Sequence, residues 1–176
     1  MAENMKEHIE EELQCLIGLP LVNAGRAADM QWFHFGEQRT VSDFKGKPRL
    51  IGEYALHIQC PWRIVGREGI VVGSSDRYYP ANEQNEQRGD FDWDIPGANR
   101  CDKLIQAFLQ ERKGFPAVVT RIESDFIGSL KIKLKGDLDL DLDVFPDDSL
   151  GKEHWRFFKP STERPHFIIT GHGIEK

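Results

Sequence analysis

Residues 130–145 alternate apolar and charged side chains, and the charge changes sign at Gly136, from a lysine row to an aspartate row. A period of two predicts strands with one face in the core and one in water. The sign change at a glycine predicts a hairpin that sets the lysines beside the aspartates. Like faces pair when Leu134 stands opposite Leu138, Lys133 opposite Asp139, Ile132 opposite Leu140 and Lys131 opposite Asp141. The predicted turn is then Lys135-Gly136-Asp137, with the glycine free to take positive φ. Each exposed Lys–Asp pair is worth only ~0.2–1 kcal/mol, so the buried Leu/Ile/Val row is the main stabilising contribution.

The remaining pattern predicts two helices among short strands. Met5, Ile9, Leu13, Leu16 and Ile17 fall on one stripe of a helix over 4–17, stopped by Gly18 and Pro20. Leu21–Arg26 and Met30–Gly36 form a hairpin around Ala27-Ala28-Asp29, and 37–48 is a polar connection. A long strand, Leu50–Gln59, ends at Pro61, and Trp62–Val65 pairs with Gly69–Gly73. Residues 74–98 lack regular periodicity, and 81–89 are almost wholly polar; a loop of this length is functional or mobile. Asn99 caps a second helix over 100–112, with Cys101, Leu104, Ile105, Phe108 and Leu109 as its buried stripe. Strands at 117–123, 127–135, 137–145, 154–158 and 166–170 complete the chain. This is one α+β domain over 1–176, with an N-terminal helix, one central helix and about nine strands in a mostly antiparallel sheet, curled or half-barrelled as one option. Strand 53–60 with Pro61-Trp62-Arg63 also echoes strand 137–145 with His154-Trp155-Arg156, a weak internal repeat.

Charge changes the picture more than composition does. The 176 residues carry a net charge of −6. Segment 136–153 holds seven carboxylates against one lysine, so the rest of the chain sums to zero. Such a field disfavours nucleic-acid phosphates and suits a basic partner or a divalent cation. The commoner reason for such a run is a solvated edge protected by charge. No apolar stretch is long enough to span a membrane and no signal peptide is visible, so a cytoplasmic protein is expected. Cys15, Cys60 and Cys101 are too scattered for a zinc site and are expected to be reduced core residues.

Catalytic motifs of the common kinds are absent from the sequence. Asp139, Asp141 and Asp143 lie about 7 Å apart on one strand face, beside lysines that repel a cation; they predict a surface face and no metal. Phe91-Asp92-Trp93-Asp94 sets aromatics among acids, which suits an interface or a short edge strand. The expected partner-binding residues are therefore Asp139, Asp141, Asp143, Asp92, Trp93 and Asp94. An alternative polar site draws on Glu53 and His57 of strand 50–59 and on Asp147, Asp148 and His154. His57 and Cys60 fall on opposite strand faces and make a poor nucleophilic pair.

Several strings taken together, Leu56–Ile64, Val72–Tyr78, Phe91–Asp94, Val144–Ser149 and His154-Trp155-Arg156, resemble a small bacterial family of unknown function, over most of the chain from about residue 15. That resemblance implies no catalytic residue. In style the chain is also similar to immunity proteins that neutralise bacterial toxins. The expected function is a non-enzymatic binding protein, immunity-like in character, that holds a basic protein partner on an acidic surface and needs no cofactor. The alternative is a small carboxylate/His enzyme, metal-assisted or not, and an edge strand leaves a homodimer open beside a monomer.

Overall fold

Along the chain, helix α1 (Ala2–Leu13) precedes strands β1 (Leu21–Ala27), β2 (Met30–Phe35), β3 (Arg39–Ser42), β4 (Pro48–Ile51) and β5 (Tyr54–Ile58). Strands β6 (Trp62–Gly66) and β7 (Gly69–Gly73) follow, then helix α2 (Arg100–Glu111). Strands β8 (Val118–Ser124), β9 (Leu130–Lys135), β10 (Asp139–Val144), β11 (Glu153–Phe158), β12 (Phe167–Thr170) and β13 (Gly173–Ile174) end the chain. The structure, a computed structural model, describes residues 2–82 and 91–175; the polar stretch 83–90 lies outside the described residues. The fold is α+β and mostly antiparallel sheet, as the alternation predicts, and the sheets do not close into a barrel.

Six strands form one sheet in the order β1-β2-β5-β11-β12-β13, and five form another in the order β7-β6-β10-β9-β8. Each sheet buries one face in a common core, where Phe33 of the first meets Trp62 of the second edge-on at 5.2 Å. The helices cover open sides of this arrangement. Ile9 and Leu13 of α1 pack beside β8, while Cys101, Ile105 and Phe108 of α2 pack between β1 and β7. Ile17, expected on the first helix stripe, instead follows a 3-10 turn at Gln14–Leu16 and is exposed. Cys15 is also exposed, not a core residue; Cys60 and Cys101 are buried, and all three are free thiols.

Among the described residues thirteen strands replace the expected nine or so, for local reasons. The connection 37–48 holds β3 and the start of β4, a two-stranded arm exposed along most of its length, with only Ile51 buried, and so without a period-two signal. The long strand 50–59 is broken at Gly52-Glu53, where the Gly52 N–H donates to His34 Nδ1.

The β9–β10 hairpin keeps the predicted faces but shifts the pairing by two residues. Leu140 faces Leu134, Asp141 faces Lys133 and Val144 faces Leu130. The turn is Gly136-Asp137-Leu138, Leu138 is exposed, and Gly136 does not take positive φ. The observed register sets Val144 against Leu130, where the expected one would have set it against Gly128, and so lengthens the apolar row.

The chain passes between the sheets twice, and the two passages lie side by side. Cys60-Pro61 links β5 to β6, and 145–152 links β10 back to β11. Phe145 N–H donates to Pro61 O at 3.0 Å, and Gln59 N–H to His154 O at 2.8 Å. The two halves of the sequence echo thus meet here, with Trp62 and Trp155 both buried.

Candidate functional site

The aspartate row does not present a free negative surface. The outer face of the five-stranded sheet sets Arg63, Arg121, Lys131, Lys133 and Lys135 among Glu123, Asp139, Asp141 and Asp143. Lys131 Nζ lies 3.3 Å from Asp141 and 2.9 Å from Asp143 Oδ1, an ion pair without hydrogen-bond alignment in the second case. Arg63 Nε donates to Asp143 Oδ2 at 3.1 Å, and Asp143 is buried rather than solvated. Five cations meet four carboxylates, so the aspartate row is neutralised across the strands.

Trp93 and its flanking acids are also engaged, and residues 91–94 form no edge strand. Arg26 Cζ sits 5.7 Å from the Trp93 ring centre, and Arg26 Nη2 donates to Trp93 O. Asp94 pairs with the same guanidinium at 3.1 Å, and Asp92 accepts from Asp94 N–H to close a local turn. Burial works to raise the Asp102 pKa, but Arg26 and the Gly97 N–H bond the carboxylate and hold it below the usual range.

The alternative polar site divides into separate places. Glu53 lies 3.4 Å from Lys159. His57 stands on the outer face of the six-stranded sheet, edge-on to Phe158 at 4.8 Å. His34 stacks on Trp32 nearby at 4.5 Å. Burial, then their mutual repulsion and Arg49 for His34, and burial, then Arg156 for His57, lower both imidazoles to about 4. A proton is therefore taken up by the unfolded chain near its ordinary 6.5 but refused by the fold until about 4. Stability is full above that window and falls as pH drops through it, by a few kcal/mol for the pair once the partial exposure of His57 is discounted. Urea titrations at pH 7 and near pH 4.5 measure this, and His57→Gln should make the acid-induced loss measurably smaller.

Asp147, Asp148 and His154 do come together, at the second passage between the sheets. Glu153 faces Thr170 while Trp155 faces Ile169, so His154 is the extra residue of a β-bulge. A bulge re-aims a side chain, and here it turns His154 inward beside Trp155. His154 Nε2 lies 3.3 Å from Asp148 Oδ1, and Lys152 Nζ lies 2.9 Å from Asp148 Oδ2. The Lys152 ammonium and the Leu150 N–H hold Asp148 down at about 2. Among the described residues His154 Nδ1 is buried without a partner.

These residues line a cleft of about 1280 Å³, walled by the start of α1, the β8–β9 turn, segment 146–150 and the β12–β13 turn. Gly171 allows the last two walls to touch, because a Cβ there would stand 2.0 Å from Leu150 O. Phe126, Ile127 and Leu150 stand 62%, 52% and 58% exposed around the opening. Sequence reading placed Ile127 in a strand, yet Asp125 Oδ1 accepts from Ile127 N and Ser129 N and holds 125–129 as a turn. The Asp125 to Gly128 turn residues were the signal that could have found it. His8 and His172 also line the cleft from the two ends of the chain, and nothing in their local sequence marks them.

Cys60 is the thiol beside this site. Burial, then Asp147 and Asp148, push it up to about 12, so it holds almost no thiolate near neutrality. Among the described residues no group of three or more His, Cys, Asp or Glu side chains could hold a metal ion, and no helix is long and apolar enough to cross a membrane. No family model, curated protein or solved structure matches the chain.

Proposed function

We propose that this is a binding protein without catalytic chemistry, and that it holds a basic protein partner in the cleft beside His154 rather than on the aspartate row. The supporting observation is the coincidence of apolar exposure and open charge. Three large apolar side chains surround the opening, and Asp147 is exposed and forms no ion pair among the described residues. A partner arginine or lysine would lay its hydrocarbon stem on Phe126, Ile127 and Leu150 and set its charge at Asp147. The unreactive Cys60 thiol argues against a nucleophile at the site. An immunity-like role belongs to this class, since a small acidic domain steers a basic partner into place.

A peptide alternating arginine and leucine is the probe, read by fluorescence anisotropy at low salt. Asp147→Lys should weaken binding about tenfold, a loss of about 1.4 kcal/mol, while Asp139→Lys on the sheet face leaves it unchanged. Equal losses in both variants would mean that net charge alone drives binding, and the cleft would lose its role.

The unpartnered His154 Nδ1 favours one second reading, an acid–base site in which Asp148 orients the imidazole. In that case His154→Gln would leave peptide affinity intact and abolish turnover of whichever small substrate the cleft admits.

A further inference from the structure

Helix α2 bounds a second cleft, of about 780 Å³, against β1 and the β3–β4 arm. Lys103, Gln106 and Gln110 fall at the spacing of one face of α2 and line the cleft, and Lys113 follows just past the end of the helix. Arg112 joins them, its guanidinium 4.2 Å from the Phe108 ring. Asn23 and Gln38 face the helix from the other side, and among the described residues no carboxylate lines the cleft. This reverses the balance of a chain with 29 acidic residues against 23 lysines and arginines. The two lysines are lightly engaged among the described residues, Lys103 donating to the Ala81 carbonyl. Arg112 Nη1 donates to Phe108 O at 3.1 Å and meets the exposed Glu111 at 3.3 Å. Arg112 Nε is buried without a hydrogen-bond partner.

We infer that this cleft binds a small polyanion, a phosphate ester or a polycarboxylate, through Lys103, Arg112 and Lys113. Neutral amides at Asn23, Gln38, Gln106 and Gln110 supply hydrogen-bond donors without adding charge, which suits an anion carrying further polar oxygens. Arg112 and Lys113 also offset the partial negative charge at the C-terminal end of α2, which would otherwise repel such a ligand. The site shares no residue with the His154 cleft and does not depend on the function proposed for it.

Isothermal titration calorimetry of the whole protein with inorganic pyrophosphate and with citrate, at low salt, tests this. The expected result is saturable one-site binding that weakens at least about tenfold in a Lys103→Gln, Lys113→Gln double variant. Both lysines are exposed, and an unchanged melting temperature would show the variant folded. Asp147→Lys should leave this affinity unchanged, separating it from the peptide site. Heat with pyrophosphate alone assigns a phosphate ligand, and heat with citrate alone a carboxylate. No saturable binding of either anion at millimolar concentration, or equal binding by the double variant, overturns the inference.

Discussion

Replacing Arg26 by alanine should destabilise the protein by about 3–5 kcal/mol, the cost of stranding one member of a buried ion pair. The Arg26 side chain is 9% exposed and that of its partner Asp102 14%. The pair is bidentate, with Nε to Oδ1 at 2.7 Å and Nη2 to Oδ2 at 3.0 Å. The same guanidinium donates to the carbonyls of Ala28, Trp93 and Asp94. Those bonds tie β1 to the segment before α2, and Asn99 completes the tie by accepting from Asp102 N–H and donating to Trp93 O. Arg26→Ala therefore leaves a buried carboxylate and several carbonyls without donors. At about 2–4 °C per kcal/mol for a domain of this size, the melting temperature should fall by roughly 6–20 °C. Hydrogen exchange at residues 93–99 should lose protection in the same variant. Arg26→Lys keeps a charge but not the fork, and should fall between the two. A loss below about 1 kcal/mol would show that water replaces the pair and that the loop is held by other contacts.

That ion pair was not legible in the sequence, although both of its residues lie in elements that were. Alternation along 130–145 discloses which side chains face the core, because the period of a strand is a local property. The helix stripe of α2 and its Asn99 cap are local in the same sense. What joins Arg26 to Asp102 is a separation of 76 residues, and no periodicity encodes it. The same limit explains the aspartate row. A charge count along the chain sees seven carboxylates near one lysine, whereas the sheet brings Arg63 and Arg121 in from other strands. Trp93 was marked as a contact residue because aromatics among acids are unusual, and the cation that engages it is distant in sequence. The Asp147, Asp148 and His154 grouping was partly legible, since the three are near one another in the chain. Their cleft was not, because the bulge at His154 and the walls from α1 and the β8–β9 turn are tertiary features.

Gly128→Ala should cost about 3 kcal/mol and open the wall of that cleft. Gly128 sits in the β8–β9 turn at φ +89°, a region in which a Cβ is strained by roughly 1–2 kcal/mol. A Cβ there would also stand 2.6 Å from Ile169 Cγ2, and Ile169 is fully buried, so its side chain has little room to yield. The Gly128 carbonyl accepts from Trp155 Nε1–H at 2.8 Å in the core, so moving the turn also strands the indole N–H. Gly114, just beyond α2, is the control: a Cβ there meets nothing within 4 Å and its φ is ordinary, so Gly114→Ala should be neutral or mildly stabilising. Urea midpoints of the two variants measure the difference, and tryptophan emission reports whether Trp155 has lost its buried setting. Phe126 and Ile127 lie on the same turn, so a folded remnant of Gly128→Ala should also bind the arginine–leucine peptide more weakly. Equal stability of the two alanine variants would mean that the turn relaxes freely, and a wall that relaxes freely could not hold Phe126 and Ile127 at the cleft opening.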